Sequence, residues 1–121
     1  MDISVVNIDE KFRKIDALHS YKIDAQMNAY HFKLVRMKRE FIWHQHPDAD
    51  EVFMVIDGHL HIDLRNKRLY LKKGEMVVIP KGVEHKPSST EECKILLIQP
   101  VDTVNTGDAG GELTDTKLEW I

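Results

Sequence analysis

The chain has 121 residues, 42% of them apolar and 31% charged, with a formal net charge of −3 at pH 7. That length suits one domain over 1–121 with a single core, and the composition is that of a globular protein, not a disordered one. The slightly acidic balance leaves no footprint for nucleic acid, and no run approaches the roughly 20 apolar residues a bilayer requires, so neither is an expected partner.

The amino-terminal arm, 1–19, opens as MDISVVNIDEKF. It lacks the basic-then-apolar layout of a secretory signal. Asn7 followed three residues later by Glu10 has the form of a capping box. Ile8, Phe12 and Ile15 then recur on one face, which predicts a short helix over about 8–17. That apolar face must bury against the body of the domain or a partner subunit.

From about residue 28 to 100 the signals are those of strands. YHFKLVRM alternates, with Tyr30, Phe32 and Leu34 on one side and His31, Lys33 and Val35 on the other. Tyr30 reads as core, and His31 and Glu40 as solvated. EVFMVI, LHIDL, RLYLK, EMVVIP and KILLIQP follow at short intervals, separated by turn-formers such as Asp57-Gly58, Gly74 and Pro80 to Gly82. Many short strands behind one helix predict an all-β sandwich or barrel. Cys93 is the only cysteine, so no intrachain disulfide forms and a cytoplasmic location is expected. Met37, Met54 and Met76 read as core filling. The tail over 101–121 is rich in glycine and polar residues; it reads as loop that packs back through Trp120 and Ile121. Its turn sequence NTGD carries no assigned chemistry.

The functional signal is in WHQHPDADEVFMVIDG. His44 and His46 share a face of a strand, and Glu51 follows a short turn containing Pro47, so it can return on the neighbouring strand to that face. His85, behind the Pro80-Lys81-Gly82 turn, supplies a third imidazole. Two spacings are met in full: H-x-H-x(4)-E-x(6)-G by His44, His46, Glu51 and Gly58, and G-x(5)-P-x-G-x(2)-H by Gly74, Pro80, Gly82 and His85. This pair of patterns resembles the two motifs of the cupin superfamily. The likeness runs from about residue 30 to the end of LLIQP and touches the tail. It is similar to small single-domain cupins, a group designated cupin domain-containing or mannose-6-phosphate isomerase-like. Two positions depart from the fuller motifs, Lys38 in place of a glycine and Ser89 in place of an asparagine; both are outside the four ligand positions.

The resemblance implies a jelly-roll β-barrel, metal ligands at His44, His46, Glu51 and His85, and a homodimer. Three imidazoles and one carboxylate suit iron, manganese, nickel, cobalt, zinc or copper, and leave positions open for a small-molecule ligand. The chemistry read from that site is Lewis-acid isomerisation or epimerisation of a sugar-like molecule. The alternatives are iron-dependent dioxygenation of a small acid or diol, and non-catalytic binding of a small ligand. Isomerisation needs a proton-transferring group, for which Lys33 is the catalytic candidate ahead of Tyr30, His31 and Glu40. His59 and His61 repeat the H-x-H spacing, but Leu60, Ile62 and Leu64 take the alternate core positions, so these histidines are expected to face outward. Asp48 and Asp50 read as solvated turn carboxylates.

Overall fold

Alternating apolar side chains drive the strands of this chain into two facing sheets. In the computed structural model, which describes residues 3–121, one helix and nine strands form among the described residues: α1 (Ile8–Arg13), β1 (Lys22–Met27), β2 (Tyr30–Met37), β3 (Glu51–Asp57), β4 (His59–Leu64), β5 (Arg68–Lys72), β6 (Met76–Ile79), β7 (His85–Ser88), β8 (Cys93–Pro100) and β9 (Glu119–Trp120). One sheet has the order β6-β3-β8-β2-β1-β9, and the other β5-β4-β7. The pairing is antiparallel except between β1 and β9. This is the all-β jelly-roll barrel that the sequence predicts.

Between the sheets lies an apolar core of Val35, Met37, Phe53, Val55, Leu60, Ile62, Ile95 and Leu97, among others. Val55 and Ile62 have no solvent exposure. The glycine that closes the first motif is required by this packing. Gly58 has φ +88°, and a Cβ there would meet Glu92 O and Cys93 Cβ at 2.9 Å. Cys93 is buried, and that burial raises its thiol pKa, in keeping with a structural role.

The large sheet is apolar on its outer face as well, because α1 lies on it. Phe12 and Ile15 bury against Leu34 and Leu96. Asn7 caps the helix as expected, its Oδ1 accepting from Glu10 N at 3.0 Å. The helix ends at Arg13, earlier than the 8–17 reading. Ile15 N turns back to Phe12 O, and Arg36 Nη1 takes the Ile15 and Asp16 carbonyls at 2.6 and 3.2 Å. Those carbonyls are therefore satisfied by a guanidinium and not by another helical turn.

The covered outer face inverts three side-chain assignments made from the sequence. Tyr30 is 44% exposed and is not core, whereas His31 is 7% exposed and buried. Met76 is 54% exposed, since β6 is an edge strand and this residue points to the outer face; Met37 is core as expected. At the end of the tail β9 pairs with β1, Ile121 N donates to Ile23 O at 3.0 Å, and Lys11 Nζ donates to Ile121 O at 2.7 Å, while Trp120 is 57% exposed. The sheet accordingly includes residues on both sides of 28–100.

Candidate metal centre

Four buried side chains from three places in the fold meet at one point. His44 and His46 lie on an irregular segment beside β7, and His44 forms a bridge with His85: His44 N donates to His85 O at 3.0 Å, and His85 N to His44 O at 2.9 Å. His85 opens β7 in the small sheet, while Glu51 opens β3 in the large one. Glu51 thus arrives from across the barrel and not from a neighbouring strand. One ligand atom from each of His44, His46, Glu51 and His85 lies within 4.8 Å of all the others.

The imidazoles are held with their Nε2 atoms inward. His44 Nδ1 lies 2.9 Å from Ile42 O, and His85 Nδ1 lies 2.8 Å from Val83 O. A carbonyl accepts only, so each Nδ1 carries the proton and each Nε2 of the neutral ring offers a lone pair. His85 Nε2 sits 2.6 Å from Glu51 Oε1, and His46 Nε2 sits 3.2 Å from Glu51 Oε2. His46 Nε2, His85 Nε2 and Glu51 Oε1 are buried without a hydrogen-bond partner. Facing lone pairs at such distances require a cation between them. A proton satisfies one pair; a metal ion satisfies the whole set. The donors present therefore fit a divalent metal of the transition series.

Burial, and then the neighbouring His85, lower the His44 pKa to about 4. Burial alone would push the Glu51 carboxyl up, but the neighbouring His46 and His85 rings outweigh it and hold the carboxyl well below its usual range. At neutral pH the cluster consequently offers a neutral His44 and a carboxylate, which is the state metal binding needs.

Behind Glu51 runs a polar ladder across the inner face of three adjacent strands. Gln99 Nε2 donates to Glu51 Oε2 at 2.6 Å. Lys33 Nζ donates to Gln99 Oε1 and to Thr103 O, both at 3.0 Å. Lysine has no acceptor, so it fixes which end of the Gln99 amide faces it, and the NH2 end must face Glu51. Lys33 is 1% exposed, and burial lowers its pKa. The sequence pattern missed Gln99, although its signal is present: it follows Cys93, Ile95 and Leu97 at the inward register of β8.

A small cavity beside the cluster is lined by Tyr21, Phe41, His44, Glu51, Gln99 and Asn105. Tyr21 is a neutral phenol, its pKa raised to about 12 by burial and lowered less by Asn105. Other predicted residues lie elsewhere. Glu40 is on the exterior, paired with Lys86 Nζ at 2.7 Å. His59 is exposed and His61 half-buried, on the outer face, with Leu60 and Ile62 in the core. Asp50 accepts from Lys81 N at 2.8 Å and so ties the two motif turns together.

The cupin domain family model matches residues 33–99 of this chain. A cupin-2 domain containing protein from Shewanella frigidimarina has a crystal structure with 51% sequence identity and a TM-score of 0.78, covering 79% of this chain and 94% of that one. The uncharacterized protein YdbB of Bacillus subtilis is 38% identical over 66 residues, 54% of this chain and 58% of that protein's length. Acireductone dioxygenase of Homo sapiens is 25% identical over 130 aligned positions, 78% of this chain and 72% of that enzyme.

Proposed function

The chain belongs to the cupin domain family, and from that premise we propose that it binds one divalent transition metal through His44, His46, Glu51 and His85. We propose further that it uses the metal in dioxygenation of a small acid or diol. The carrying observation is the convergence of four buried ligand atoms, three of them without a partner. When bound, such a metal supplies Lewis acidity and, if it is iron, electrons for oxygen chemistry. Four protein donors leave open positions on a six-coordinate ion. The likeness to acireductone dioxygenase over most of the chain supports oxygen chemistry ahead of isomerisation.

The chain's own residues supply the rest. The Nδ1 contacts to Ile42 O and Val83 O orient two rings. Gln99 holds one Glu51 oxygen and leaves the other toward the cluster. Phe41, Phe53 and Leu97 wall the adjoining cavity with apolar surface, which limits water at the reacting point. Lewis-acid isomerisation of a sugar-like substrate is the second reading, and Lys33 favours it as a buried amine of lowered pKa. Direct proton transfer by Lys33 would require release from Gln99 and Thr103. In the first reading Lys33 acts instead through Gln99 on Glu51. Nothing in this geometry selects the mannose-6-phosphate isomerase-like subgroup.

We also propose a homodimer, supported by the apolar side chains Tyr30, Met76 and Val78 that the large sheet leaves exposed.

The test is oxygen uptake with small acids and diols, on protein reconstituted anaerobically with iron(II) or with zinc. The expected result is uptake with the iron form alone, lost in Glu51→Ala. Turnover of sugar phosphates by the zinc form without oxygen would overturn the dioxygenase reading and favour isomerisation.

A further inference from the structure

Gln45 separates the two cluster histidines on the first motif, and its backbone is gripped from outside the region the cupin family model matches. Both of its main-chain polar groups bond to one residue of the carboxy-terminal tail. Gln45 N donates to Asp108 Oδ1 at 2.9 Å, and Asp108 N donates to Gln45 O at 3.1 Å. The preceding residue, Gly107, has φ +55°. A Cβ at Gly107 would overlap the Gln45 carbonyl oxygen and come within 3.2 Å of His46 Cε1. Only glycine permits that approach. Gly107 N closes the turn on Val104 O at 3.0 Å.

The turn is itself fixed from behind. Asn105 Nδ2 donates to Leu113 O, and Asp115 N donates to Asn105 Oδ1, both at 2.8 Å. Thr106, fully buried, shares a 2.6 Å hydrogen bond with Thr114. Asp115 Oδ2 then accepts from Tyr21 N at 2.8 Å, just ahead of β1. An unbroken set of bonds therefore runs from β1 through the tail to the residue between His44 and His46. Outside the isolated His44–His85 bridge and the bond from Gly82 N to His46 O at 3.0 Å, the segment has no regular sheet pairing, and the backbone of Gln45 between them is held by the tail.

We propose that the turn at 104–108 is a clamp that sets the spacing of the histidine pair for metal binding, with Asp108 as its positioning residue. The clamp rests on the metal-binding reading given above. Fixing both polar groups of Gln45 fixes the peptides on either side, and with them the Cα–Cβ directions of His44 and His46. Partners behind ligands typically change metal affinity by about 10- to 100-fold when removed.

Two variants test this, Asp108→Ala and Asp108→Asn; the Asn side-chain oxygen can accept the same bond from Gln45 N. Two readouts are taken: Co(II) affinity and visible absorption by chelator competition, and hydrogen exchange of the Gln45 amide in metal-free protein. Asp108→Ala is expected to weaken Co(II) binding at least about tenfold, alter the absorption bands and speed Gln45 exchange, with exchange at Val55 and Leu97 unchanged. Asp108→Asn is expected to restore all three. Wild-type affinity and spectrum in Asp108→Ala would overturn the clamp. So would general loss of protection at Val55 and Leu97 together with Gln45, which would mark Asp108 as a support of the whole fold. If wild-type protein binds no Co(II), the metal-binding reading fails, and unchanged Gln45 exchange in Asp108→Ala would then separately refute the fixing of the segment.

Discussion

Acidification of the metal-free protein should expose the strain of keeping His44 neutral. Its ordinary pKa of 6.5 is lowered to about 4 in the fold, first by burial and then by His85. Below 6.5 the unfolded chain takes up a proton that the folded chain does not, so stability falls as pH falls. The loss ends near pH 4, where folded His44 also protonates. At about 1.4 kcal/mol per pH unit, the gap sets a ceiling of about 3.5 kcal/mol, and about 2.5 kcal/mol should be gone by pH 4.5. Urea unfolding in the presence of chelator, from pH 7 to 4, gives the profile for wild type and for His44→Asn. The asparagine amide can keep a donor toward Ile42 O but cannot titrate. Wild type should lose about 2.5 kcal/mol more than the variant between pH 7 and 4.5. Parallel profiles would refute the claim that the fold holds His44 neutral.

Gln99→Leu removes the donor to Glu51 and an acceptor of buried Lys33. It should lower metal affinity by about 10- to 100-fold, read by chelator competition, and cost about 1–3 kcal/mol in urea unfolding. His59→Ala, on the outer face, should leave metal content unchanged by mass spectrometry; a loss there would place a metal ligand outside the four-residue cluster. Light scattering should give twice the monomer mass, and Val78→Lys should shift the protein toward monomer. A wild-type monomer would refute the dimer.

The candidate ligands were legible because their spacing is fixed by local geometry. Two imidazoles alternate on one segment, Glu51 begins the strand after the turn, and His85 begins β7 behind a glycine turn. The helix cap was legible for the same reason, since Asn7 and Glu10 meet within one turn. Side-chain direction on β2 was not. Alternation separates Tyr30, Phe32 and Leu34 from His31, Lys33 and Val35, but it cannot say which set faces inward when α1 makes the outer face apolar too. Lys33 reads from the sequence as a candidate proton-transferring group, and its partners Gln99 and Thr103, far along the chain, enter only once the fold places them. The NTGD turn shows the same limit: its composition announces a turn, while its contact with Gln45 exists only in three dimensions.

Metal content bears most directly on the central claim. Protein purified without a histidine tag or chelator, handled with and without air, should carry about one divalent transition metal ion per chain by mass spectrometry, as a single site of four donors requires. His85→Ala should lose it while keeping the β-sheet circular dichroism of wild type. Wild-type protein that stays metal-free after reconstitution, or a His85→Ala variant with full occupancy, would contradict the account.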